Sequence, residues 1–168
     1  MATGGISYGS YTAMTVTNLQ SLANDSTDVF AGWQSARVPN HSTLAQDYEI
    51  LVDLSTAATA PANDQAAYVY VVPWMTTDGG TTWIAGANFG TTTLPSGSEG
   101  TANISEPNSM GRVGIPYKVT SQRLDAMFSI VSVLGYMPDG WSLAIRDCTG
   151  AALGTGCVVA YRTVNPTI

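Results

Sequence analysis

WSLAIRDCTGAALGTGCVVAYRTV, residues 141–164, decides the fold of this chain. Trp141, Leu143 and Ile145 alternate with Ser142, Ala144 and Arg146, the two-residue period of a strand with one buried face. A second run begins at Cys157, rich in Val and Tyr, with Arg162 and Thr163 among its apolar positions. The stretch between them, TGAALGTG, is small, Gly-bearing and uncharged, which predicts a hairpin connection and no helix end. Pro138-Asp139-Gly140 turns the chain into the first strand and Asn165-Pro166 closes the second. On this reading the two strands form a closing hairpin against which the earlier strands pack. Cys148 and Cys157 then flank the loop as cross-strand neighbours, close enough to bridge if oxidised, although free thiols are the expected state in a cytosolic assembly.

Other strands precede it. Residues 127–134 (MFSIVSVL), 113–119 and 101–105 read as strands, and residues 67–75 (AYVYVVPWM) as a central one, β-branched and aromatic on both faces. Pro73 cannot donate to a ladder, so a bulge or an unpaired side is expected near it. Residues 44–54 form a longer strand with Tyr48, Ile50, Val52 and Leu54 on one face and Asp47, Glu49 and Asp53 on the other. Residues 31–38 and 12–19 complete the set, with loops at 23–28, 57–65 and 87–100. No helical period persists over three turns. The fold class is all-β: a jelly-roll-like β-sandwich over residues 12–168, preceded by an extended N-terminal arm, residues 1–11. An immunoglobulin-type sandwich fits less well, because the two cysteines lie too close together for its inter-sheet bridge.

Only 11% of the 168 residues are charged, Ser, Thr, Gly and Ala take the place of charge, and there is one lysine, Lys118. Such a surface is easily desolvated and leaves strand edges without their usual guard, so the edges are expected to be covered by loops or by a second copy, as a dimer or trimer. A net charge of −6 with six scattered basic residues argues against nucleic acid. No apolar run is long enough to cross a bilayer, and the first residues lack the pattern of a signal peptide. The arm, MATGGISYGSY, reads either as a frayed end or as a segment docked on a partner through Ile6, Tyr8 and Tyr11.

Residues 76–83, TTDGGTTW, resemble the Asp-box hairpin, with Asp78 accepting bonds from its own turn, Gly80 supplying an unusual backbone shape and Trp83 packing beneath. A single copy reads as a structural turn and not as glycosidase chemistry. His41 stands in a polar loop as a surface side chain, no His/Cys spacing suits a metal, and no serine sits in a nucleophile elbow. The reading is a non-enzyme without cofactors. Trp33, Trp74, Trp83 and Trp141 fit a sandwich core or its margin, or one or two of them form a sugar-stacking platform.

The close WSLAIRDCTGAAL, residues 141–153, with TNLQSL at 17–22, the strand at 47–54 and the Val/Tyr strand leading into Thr77-Asp78-Gly79, resembles small jelly-roll virion proteins of tailed bacteriophages, the cement or head-decoration proteins. The resemblance implies a protein on the outer surface of the capsid, assembled in the bacterial host cytoplasm, that clamps neighbouring major capsid subunits and has no catalytic residues. The alternative function is a carbohydrate-binding adhesion module of a tail or head fibre, which an exposed aromatic row on one sheet would support.

Overall fold

Alternation is strictest over Asp47–Ser55, where Tyr48, Ile50, Val52 and Leu54 are buried and every neighbour is half-buried. Around this strand the computed structural model describes residues 4–25, 30–57, 66–85, 98–104, 111–116 and 123–167. In chain order the elements are β1 (Gly5–Tyr8), β2 (Thr12–Ala13), β3 (Phe30–Gln34), β4 (Val38–Pro39), β5 (Asp47–Ser55), β6 (Ala66–Thr76) and β7 (Trp83–Ala85). Then come β8 (Gly100–Ile104), β9 (Gly111–Pro116), β10 (Arg123–Ser129), α1 (Ile130–Leu134), β11 (Gly140–Cys148) and β12 (Val158–Thr167).

They build two antiparallel sheets. The front sheet has the order β1-β12-β5-β10, with β2 also against β12. The back sheet runs β7-β6-β11-β3-β8, with β4 against β11 and β9 against β6. The main strands order as 1-12-5-10 in front and 3-11-6-9 behind, and this interleaving of near and distant strands is the double Greek key of a jelly roll. Between the sheets, Trp141, Leu143 and Ile145 of β11 meet Tyr48, Ile50 and Val52 of β5 and Val159 of β12 in one apolar core. Trp141 is the clasp: its ring centroid lies 5.3 Å from those of both Tyr48 and Tyr161 on the opposing sheet.

β6 is central, as its two-sided apolar pattern predicts. β11 pairs along one of its edges, while β9 takes Ala66–Val71 and β7 takes Trp74–Thr76 on the other. Pro73 falls in the gap between β9 and β7, on the unpaired side that its missing N–H requires.

Five expectations are corrected. The closing stretch is not a hairpin: β11 lies between β6 and β3/β4 in the back sheet and has no edge left for β12, which pairs with β5 in the front one. The connection crosses the sandwich instead, and its apolar Ala151 and Leu153 are buried, which a solvent-facing hairpin tip would not allow. Leu153 bridges to Thr56, and its N–H donates to the Leu22 carbonyl.

The cysteines therefore do not face each other. Cys148 sits opposite Ala66 of β6, Cys157 turns its thiol toward the Ser55 and Gly154 carbonyls, and both are free. Cys148 ends β11 in the back sheet and Cys157 precedes β12 of the front one, which removes the cross-strand geometry on which a bridge was expected.

Residues 127–134 are not one strand. β10 stops at Ser129, whose hydroxyl caps Ser132 N–H while Ser132 answers with its own hydroxyl, and α1 ends at Gly135 with φ +79°. Asp47 also accepts from Val131 N–H. Likewise the strand expected at 12–19 lasts only through Ala13, because the chain turns at 17–21 to bury Leu19 and to let Gln20 bond the Gly156 and Cys157 backbone.

Finally, the arm is extended, but β1 is the edge strand of the front sheet, in register Gly5↔Thr167 to Tyr8↔Val164. A boundary at residue 11 thus falls inside that sheet. Outside the described residues lie 1–3, residues 58–65 of the loop expected at 57–65, residues 87–97 of the one expected at 87–100, residues 26–28 of the loop at 23–28, residue 105 of the strand expected at 101–105 and residues 117–119 of the one expected at 113–119.

One buried group has a consequence for stability. Asp147 is fully buried; its Oδ1 accepts from Thr149 N–H (3.0 Å) and hydroxyl (2.7 Å), while Oδ2 has no partner among the described residues. Burial pushes its pKa up. The unfolded chain keeps an ordinary carboxyl, so folding is unpenalised below about pH 4 and loses stability as the pH rises through the raised folded value. Asp147→Asn is expected to melt like the wild type at pH 4 and to be more stable by about 1–2 kcal/mol at pH 8. Thermal melts at the two pH values check this, and a gain of equal size at both would show that titration is not the cause.

Candidate functional site

The two outer faces of the sandwich differ. On the back sheet Tyr70, Val72, Trp74 and Ala144 are buried and form a second apolar cluster with Tyr68, Trp83 and Ala85. Even the polar groups there are internal: Ser142 Oγ accepts from Gln34 Nε2 (3.2 Å) and Trp74 Nε1 (2.9 Å). The front sheet is open. Its register lines up Arg162, Glu49 and Ser129 in one row, Ala160, Leu51 and Met127 in the next, and Val158, Asp53 and Asp125 in the third, all on the side away from the core. Nine large apolar side chains are exposed among the described residues, and five of them (Ile6, Tyr8, Tyr11, Met127 and Val158) lie on this face.

The predicted arm residues are thus brought onto one surface. Ile6 is 65% exposed, Tyr8 50% and Tyr11 42%. Arg162 holds both tyrosines, its guanidinium 4.3 Å from the Tyr8 ring centroid and 4.7 Å from that of Tyr11. Glu49 completes the cluster, paired with Arg162 at 2.6 Å and accepting from the Tyr11 hydroxyl at 2.5 Å. That hydrogen bond raises the Tyr11 pKa and keeps the phenol a donor. Rings fixed in this way lose little freedom on docking.

At one end of the face a groove of about 340 Å³ is lined by Ile6, Val131, Val164 and Pro166, with Gln46, Asp47 and Asn165 also contributing. At the other end Asp125 stands directly opposite Asp53, which is ion-paired with Arg123. The hydrogen bond to Asp53, with burial and the like charge, raises the Asp125 pKa.

The Asp78 turn is held together by its own hydrogen bonds. Asp78 Oδ1 accepts from Thr82 N–H (2.7 Å), Thr76 hydroxyl (3.0 Å) and Thr81 N–H (3.1 Å), and the bonds from Thr82 above all pull its pKa down to about 2. Gly80 has φ +98°, and a Cβ there would strike the His41 ring. Trp83 donates to the Gly80 carbonyl (2.8 Å) and lies beneath Arg37, 4.2 Å from its ring centroid. His41 packs edge-on against Trp83 and is half-buried, not a free surface side chain.

Trp33 and Trp141 are core, Trp74 is buried, and the exposed aromatic row is Tyr8 with Tyr11. Sequence reasoning missed Met127, Val158 and Asp125, because their place beside the arm depends on register between distant strands. Among the described residues no group of three or more His, Cys, Asp or Glu comes together to hold a metal. No known protein family, curated protein or solved structure matches the chain.

Proposed function

We propose that the protein is a structural virion component, a cement or decoration protein that binds the outer surface of a capsid and stabilises it by bridging major capsid subunits. The observation that carries this reading is the contrast between the faces: the back sheet covers its outer apolar cluster within the chain and leaves only Met75 and Ile84 open among the described residues, and the front one presents five exposed apolar side chains with its arm tyrosines already fixed. A sparsely charged surface with a single lysine supports packing against protein. In this role the protein is no enzyme, needs no cofactor, and acts as a dimer or trimer assembled in the bacterial cytoplasm.

The exposed Tyr8–Tyr11 row favours a second reading, a carbohydrate-binding adhesion module. Arg162 lies over both rings, so a sugar must stack on the faces that it leaves open.

Mass spectrometry of purified particles tests the first reading. A fixed copy number relative to the major capsid protein is expected, together with a loss of heat and low-salt resistance when the protein is stripped. Stripped particles that survive unchanged would overturn the cement role, and binding to a glycan array would then favour the adhesion module.

A further inference from the structure

The open face has a direction. The apolar groove lies where β5 begins, at Asp47, and the acidic pair lies at Asp53, roughly 20 Å further along that strand. Each other carboxylate between these ends is satisfied: Asp47 by Val131 and Tyr48 N–H groups, Glu49 by Arg162 and Tyr11, Asp53 by Arg123. Asp125 shares a hydrogen bond with Asp53 opposite, and Arg123, which is ion-paired with Asp53, is the one cation acting on both among the described residues, so the two carboxyls have one counter-charge between them. Covering this face with an uncharged surface would bury two carboxyls that share a single counter-charge, which is unfavourable.

Resting on the cement reading, we infer that the front sheet receives an extended segment of the shell subunit lying along its strands. The segment places an aliphatic side chain in the Ile6–Val131–Val164–Pro166 groove and a lysine or arginine against Asp125, roughly 20 Å away. A second copy that turns this same face toward it fits poorly. The cations that it would offer, Arg123 and Arg162, are already held by Asp53 and Glu49. The apolar wall of the groove supplies burial, and the charge at the far end fixes direction and register.

The test adds purified protein and its variants to capsid shells lacking it and measures binding by co-sedimentation. Asp125→Arg is expected to weaken binding about tenfold at about 50 mM salt, with the gap closing at about 500 mM as screening removes the repulsion. Ile6→Glu is expected to weaken it about thirtyfold or more at either salt. Val131→Glu carries the same arm of the test without touching β1, should Ile6→Glu loosen that strand. Ile84→Glu alters an equally open apolar side chain on the β6–β7 hairpin, away from this face, and should bind as the wild type does.

Asp125→Arg binding undiminished at low salt would overturn the inference, as would Ile84→Glu weakening binding as much as the groove variants; in either case the cement reading stands. Intact protein that ignores the shells altogether would overturn both.

Discussion

Trp141→Ala lowers the unfolding free energy by about 3–5 kcal/mol, a drop in Tm of roughly 10 °C or more for a chain of this size. The indole is fully buried in β11 and touches rings of both Tyr48 and Tyr161, so it joins the back sheet to two strands of the front one. Alanine leaves a cavity flanked by two aromatic rings that stand on different strands and cannot both collapse inward. The indole Nε1 has no hydrogen-bond partner among the described residues, so part of the native burial is already unfavourable. Trp141→Phe keeps most of the apolar contact and removes that orphan donor, and it should cost less than half as much. Denaturant melts of both variants check the ordering. If phenylalanine costs as much as alanine, the N–H has a partner that matters and the clasp is polar; if alanine costs under about 1 kcal/mol, Trp141 does not hold the sheets together.

The same residues show what the sequence could and could not disclose. Alternation in 47–55 and the two-sided apolar run in 66–76 were readable, because burial on one face or both leaves its mark within a single strand. Pro73 was readable for a covalent reason, the absence of an N–H. The partner of a strand is not written in its own period. Trp141 and Tyr161 do meet, 5.3 Å apart, but through side chains across the core and not as hydrogen-bonded neighbours. Ala151 and Leu153 held the missing signal, since two apolar residues in a short connection mark a crossing through the core. The helix at 130–134 was similarly hidden under an alternating pattern, with Ser129, Ser132 and Gly135 as its only local signs. In the candidate site, Ile6, Tyr8 and Tyr11 could be picked out as apolar residues on a Gly/Ser background. Their companions Met127, Val158 and Asp125 come from strands more than a hundred residues away and become visible only with the register in hand.

Removing residues 1–11 is expected to cost little stability and nearly all binding. The truncation deletes β1, so it bares one edge of β12, yet β12 keeps β5 along its other side and β2 at Ala160 and Tyr161. The lost contacts are the exposed edge ladder of β1 on β12, the stacking of Arg162 on two tyrosines and the Tyr11–Glu49 bond. Together these give about 3–5 kcal/mol, much of it offset by the entropy that the freed residues regain, for a net loss of about 1–2 kcal/mol. The effect on the proposed docking is far larger. Ile6, Tyr8 and Tyr11 are three of the five apolar anchors on the open face, and Ile6 also walls the groove. Anchors of this kind carry about 1–2 kcal/mol each, so affinity for capsid shells should fall about a hundredfold or more. The bared edge of β12 has no lysine to guard it, and light scattering should show concentration-dependent association beyond that of the full chain. Circular dichroism establishes whether the truncated chain folds. If it does not, Tyr8→Ala with Tyr11→Ala keeps the backbone of β1 and asks the same question of the rings alone. Full occupancy on particles after either change would mean that the arm only closes its own sheet edge, and that the grip on any partner lies elsewhere.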